Sequence, residues 1–107
     1  MEDFAIVLTT TDSSESAQRI ARTLVDRRLA ACVNIIPLIE SVYRWNGVVE
    51  SAQEILLIIK TRAERFTDLE AAIKELHHYE LPECVMVKIE EGSDEYLAWI
   101  AKEASQS

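Results

Sequence analysis

Apolar and polar positions along this chain switch several times between a two-residue and a three-to-four-residue rhythm. Phe4 to Thr10 is a continuous apolar, β-branched run. Such a run predicts a central strand buried on both faces. Asp12-Ser13-Ser14-Glu15 follows, with the Asp-x-x-Glu spacing of a capping box. The helix it starts places Ala17, Ile20, Ala21, Leu24 and Val25 on one stripe and ends near Leu29-Ala30-Ala31. Strand-like sequence resumes near Cys32-Val33 and passes Pro37, which cannot donate to a sheet ladder and implies an edge, bulge or bend. Asn46-Gly47 then marks a two-residue hairpin turn, since both residues tolerate positive φ.

The arms of that hairpin reach back to about Val33 and forward to about Thr61. Strands usually run about five to six residues, and each arm is roughly twice that. Ile55 to Ile59 is apolar on both faces, whereas Glu50-Ser51-Ala52-Gln53-Glu54 is polar. The inner half of the arm belongs to a core and the outer half does not. The domain cannot cover such arms alone, so the tip is expected to meet another copy of the chain.

A second amphipathic helix is predicted from about Arg62 to His77, with Phe66, Leu69, Ile73 and Leu76 on its stripe and Glu70 with Lys74 as an i, i+4 pair. Pro82 stops it, Cys84 to Ile89 reads as a fourth strand, and a last helix carries Leu97, Ile100, Ala101 and Ala104. The order is β-α-β-β-α-β plus a C-terminal helix. Right-handed crossovers then give an antiparallel four-stranded sheet with both main helices on one face: an α+β, ferredoxin-like sandwich with a long hairpin between its second and third strands. The other face must be covered by the C-terminal helix or by another subunit.

The 107 residues fit a single domain spanning 1–107. A net charge of −8 disfavours nucleic acid and anionic membranes as partners, because both require neutralising Lys and Arg. Cys32 and Cys84 are far apart and neither lies in a C-x-x-C pair, which argues against a disulfide scaffold and a four-cysteine zinc site. No apolar run approaches membrane-spanning length, and Met1-Glu2-Asp3 does not open a signal peptide, so the expected location is cytoplasmic.

His77-His78-Tyr79-Glu80-Leu81-Pro82-Glu83 is the densest polar cluster. Imidazole and carboxylate suit copper or zinc, which makes His77 and His78 metal candidates, with Cys32 as a soft alternative. The competing reading is that the histidines end a helix and satisfy its carbonyls, and that the cysteines are buried thiols. A two-histidine clamp requires the helix to end between His77 and His78, because adjacent residues on a helix do not face each other. Tyr43 and Trp45 share a strand face and fit a subunit contact better than a base-stacking platform. Tyr43, Trp45, Glu50, Lys60, Tyr79, Glu83 and Trp99 are candidates for an intersubunit cleft. No phosphate loop, nucleophile elbow or His-Glu-x-x-His motif is present, so no catalytic residue is assigned and the chain is not read as an enzyme.

Leu29-Ala30-Ala31-Cys32-Val33-Asn34-Ile35-Ile36-Pro37, Tyr43-Arg44-Trp45-Asn46-Gly47, Leu76 to Glu83 and Tyr96-Leu97-Ala98-Trp99-Ile100 together resemble the CutA family of divalent-cation tolerance proteins. The resemblance covers nearly the whole chain. It implies a homotrimer of ferredoxin-like subunits whose long hairpins make intersubunit contacts, and an association with copper(II) or another divalent cation. It also implies a copper ligand set at the positions of Thr9, Leu76 and His77, of which only His77 carries a ligand side chain. The family usually has His-Pro-Tyr where this chain has His77-His78-Tyr79. The alternatives are a PII-like trimeric signalling protein that binds a small effector between subunits, against which the tight Asn46-Gly47 turn counts, or a purely structural interaction trimer.

Overall fold

The computed structural model describes residues 2–106. Its elements are β1 (Phe4–Thr11), α1 (Ser14–Asp26), β2 (Cys32–Trp45), β3 (Val48–Arg62), a 3-10 turn (Ala63–Arg65), α2 (Phe66–Leu76), β4 (Val85–Ile89) and α3 (Asp94–Glu103). The four strands form one sheet in the order β2-β3-β1-β4, with every neighbouring pair antiparallel. This is the ferredoxin-like arrangement expected from the element order.

Register divides the sheet into two chemically different faces. One cross-strand row runs Val33, Ile59, Val7, Met86 and the next Ile35, Leu57, Thr9. The apolar side chains of these rows pack with Ile20, Leu24, Leu69 and Ile73 of α1 and α2 into the main core. The rows between them run Cys32, Lys60, Ile6, Val87 and Asn34, Ile58, Leu8, Val85. Strand alternation turns these to the face without α1 and α2. At one end α3 covers it, packing Leu97, Ile100 and Ala104 against Phe4 and Ala31. Beyond that end Val85 and Val87 are each 51% exposed. β1 is therefore closed over on one face and half-buried on the other, rather than buried on both.

Several boundaries differ from the sequence pattern. Helix α1 ends at Asp26, before Leu29-Ala30-Ala31, because Arg28 takes φ 58°. The Leu29 N–H then reaches the Leu24 carbonyl and the Arg28 N–H the Val25 carbonyl, closing the helix in a Schellman motif without a glycine. Its N-cap is Ser13, whose hydroxyl accepts from the Ser16 N–H, so Asp12 is free for another partner. Val25 falls off the buried stripe and is 42% exposed. The 3-10 turn occupies the start predicted for α2, which begins at Phe66.

The hairpin has the predicted turn, with Asn46 at φ 52° and Gly47 at φ 78°. Pro37 lies in a bulge, where the pairing slips between Ile36 and Ile39. β1 pairs only as far as Thr11 opposite Ile55, so residues 48–54 of β3 are paired to β2 alone and the arm projects past the body. The molecule accordingly measures 44 × 25 × 22 Å. A Cβ on Gly47 meets nothing within 4 Å, so Gly47→Ala pays only the backbone penalty of left-handed geometry. It is expected to cost about 1 kcal/mol in urea unfolding, without changing the fold.

Candidate functional site

Three consecutive side chains, each reaching a different segment, gather the C-terminal ends of β1 and α2 and the root of the arm. Helix α2 ends at Leu76, and His77 has extended backbone as its C-cap (φ −88°, ψ 144°). The helix thus ends before both histidines, and their rings diverge. The buried His77 ring accepts the Tyr79 N–H at Nδ1, 3.2 Å away. A backbone N–H can only donate, so the ring proton is on Nε2, which donates to the Thr10 carbonyl at 2.6 Å. His78 Nε2 lies 3.0 Å from Asp12 Oδ2, and the Tyr79 hydroxyl donates to Glu54 Oε2 at 2.8 Å. The Tyr79 ring sits 4.4 Å from His77 and edge-on to His78 at 5.1 Å, measured between centroids. The segment 77–79 therefore ties α2 to β1, to the link before α1, and to β3.

Beside this staple lies a groove of about 740 Å³ between the arm and the 79–83 loop. Tyr43 and Trp45 on the arm supply aromatic surface. Asp12, Glu50, Glu54, Glu80 and Glu83 supply five carboxylates against the single guanidinium of Arg44. Such a lining concentrates cations and repels anions.

The structure brings together five of the residues expected at a cleft: Tyr43, Trp45, Glu50, Tyr79 and Glu83. It places Lys60 elsewhere, on the open sheet face, where its ammonium donates to Asn34 Oδ1 beside Cys32. Trp99 is also separate, stacked on Tyr96 of α3 with centroids 5.5 Å apart. Cys32 is half-buried, 4.0 Å from Asn34 Oδ1 and away from both histidines along the sheet. Thr9 is buried on the helix-covered face, and its hydroxyl has no partner among the described residues. His77 differs from the metal role read for it: with both ring nitrogens engaged, it has no lone pair to offer in this arrangement. The sequence reading missed Glu54 and Glu80 of the groove lining, and also Asp12, read as a helix cap. Only its contact with His78, 66 positions away, reveals its place.

The family model described as CutA1 divalent ion tolerance protein matches residues 5–103. The chain belongs to the CutA1 family. It is 50% identical over 95 residues to the divalent-cation tolerance protein CutA of Thermus thermophilus, a match spanning 89% of this chain and 92% of that protein. It is 44% identical over 95 residues to the chloroplastic protein CutA of Arabidopsis thaliana, covering 89% of this chain but only 52% of that longer protein. The crystal structure of CutA1 from Oryza sativa superposes with a TM-score of 0.94 at 39% identity, covering 98% of this chain and 96% of that one. No helix among the described residues of this CutA1-family chain is long and apolar enough to cross a membrane.

Two side chains of this CutA1-family chain hold their protons unusually tightly. Burial, reinforced by the Glu54 carboxylate that accepts its hydrogen bond, pushes the Tyr79 phenol well above the usual phenol range. Burial, with Glu70 next in effect, pushes the Cys84 thiol from 9.0 up to about 11. Cys84 is thus held as a neutral thiol at physiological pH. The folded chain keeps both protons where the unfolded chain releases them. Both contributions to stability are complete below about pH 9; that of Cys84 is lost as pH rises from there through about 11, and that of Tyr79 at higher pH still. Urea midpoints should fall across that window, and Cys84→Ala combined with Tyr79→Phe should flatten the fall. An equally steep decline in the double variant would contradict the assignment.

Proposed function

We propose that the chain works as a homotrimer that binds divalent cations, copper(II) among them, as part of cation tolerance. The observation that carries the reading is the sheet's uncovered face. Ile6, Leu8, Ile58, Val85 and Val87 lie there in register, beside an arm that overhangs the body. Apolar surface of this kind gains stability when removed from water, at roughly 25 cal/mol per Å². The free edges of β2 and β4 are different surfaces, as a head-to-tail ring requires, because such a ring joins two unlike patches at every contact. Family membership supports three copies per ring and the cation. The acidic groove supports the sign of the ligand's charge.

Equilibrium dialysis against copper(II), zinc and magnesium tests the cation half. Copper and zinc should be retained above the level of a reference protein of the same charge, and magnesium should not, since imidazole favours the first two. Retention of none of them, together with thermal stabilisation by ATP or ADP, would contradict this reading and favour a signalling trimer.

A further inference from the structure

We propose that the groove between the arm and the 79–83 loop is a site for a linear aliphatic polyamine, a ligand whose ammonium groups are joined by methylenes. The site shares with the cation reading above only the sign of the groove's charge, and it requires no metal. The carboxylates of the groove are spread out rather than gathered. Tyr43 pairs with Glu50, Ser41 with Ala52 and Ile39 with Glu54, so Glu50, Ala52 and Glu54 share one face of the arm with Tyr43. At a strand rise of about 3.3 Å per residue, Glu50 and Glu54 stand roughly 13 Å apart along β3. Asp12 comes from the link before α1, and Glu80 and Glu83 from the loop after α2. Among the described residues no three His, Cys, Asp or Glu side chains converge on one point. Charges distributed in this way match a ligand whose own charges are separated along a chain.

Between these charges the surface is aromatic or small. Tyr43 and Trp45 alternate onto the same face and are each 40% exposed, while Ala52 keeps the floor between Glu50 and Glu54 low. Methylenes pack against the rings, and an ammonium over a ring face gains cation–π attraction. The Arg44 guanidinium donates to the Gly47 carbonyl at 3.5 Å, which draws the lining's one positive charge toward the turn. The groove also offers acceptors. Thr10 lines it and is 7% exposed; its carbonyl accepts from His77, whereas its hydroxyl makes no hydrogen bond to a described residue. Glu54 Oε2 accepts from the Tyr79 hydroxyl, which fixes the carboxylate and leaves Oε1 open. Both oxygens can accept from an ammonium, which has only donors to offer. An extended triamine such as spermidine is long enough to meet both Glu50 and Glu54 with its methylenes on Tyr43. The shorter diamine putrescine reaches only one of them.

Titration calorimetry of the full chain with spermidine at low ionic strength tests the site. Spermidine should bind with an affinity that falls as salt is raised. Putrescine should bind about tenfold more weakly or worse, having lost one ion pair and several packed methylenes. Trp45→Leu should weaken spermidine by about two- to fivefold, the size of one exposed cation–π contact. Glu50→Gln should weaken it by about threefold, as loss of an exposed ion pair does. Glu91→Gln removes the same charge from an exposed position outside the groove and should bind as the wild type does. All three substituted positions are exposed, so the variants are expected to fold. Equal weakening in Glu50→Gln and Glu91→Gln, or equal affinity for putrescine and spermidine, would reduce the effect to general charge attraction and overturn the site. No spermidine uptake by the wild type would also overturn it, and copper retained in the dialysis above would then leave the cation reading standing.

Discussion

Replacing Val87 with Asp is expected to convert the proposed homotrimer to monomers while leaving the subunit folded. Val87 faces away from α1 and α2, in the row Cys32, Lys60, Ile6, Val87, and about half of it is exposed in the single chain. A carboxylate there meets water in the monomer and costs little. Buried without a partner against a neighbouring subunit, it costs roughly 3–5 kcal/mol. Each 1.4 kcal/mol is about tenfold in an equilibrium constant, so association should weaken by roughly 10²- to 10³-fold or more. The same charge placed at Ala71, exposed on α2, should leave assembly unchanged. Sedimentation of both variants, with circular dichroism to confirm folding, checks this. An assembled Val87→Asp variant would mean that the open face is not the contact.

The second large effect is expected at His77. Truncation to Ala removes two hydrogen bonds at once, leaves the Thr10 carbonyl without its donor, and opens a gap beside the Tyr79 ring. A buried polar group stranded in this way costs about 1–3 kcal/mol, and the lost packing adds to it. The total should be about 3 kcal/mol in urea unfolding at matched protein concentration. His77→Gln should recover part of this, because an amide can both donate to Thr10 and accept from Tyr79. Full loss in His77→Gln as well as in His77→Ala would show that ring packing, not hydrogen bonding, holds the staple.

The fold was legible in the sequence because its signals are local. Asn46-Gly47 specifies its own turn, Pro37 announces the bulge, and the stripes of α1 and α2 follow the helical period. The misplaced boundaries have equally local causes. Arg28 closes α1 in left-handed backbone, where glycine is the usual residue, so nothing in Leu29-Ala30-Ala31 marked the stop. Ser13 and Asp12 compete for the N-cap, and spacing alone favoured the wrong one.

The site was legible only in part. Tyr43, Trp45 and Glu50 share the arm, and Tyr79 and Glu83 share the loop after α2, so each group could be read from its own segment. That the two groups face one groove depends on where β1 stops. Whether an imidazole is free or sealed depends on partners far along the chain: Thr10 for His77 and Asp12 for His78. No periodicity records such pairings. Lys60 and Trp99 were grouped with the cleft by residue type, but strand alternation turns Lys60 to the open face and Trp99 belongs to α3.

Assembly of three copies through the open sheet face is the central proposal. Sedimentation equilibrium of the wild-type chain at low protein concentration tests it most directly. The predicted result is a single species of three times the 12.2 kDa chain mass that persists on dilution. A species of one chain mass, stable with Val85 and Val87 left in water, would contradict it.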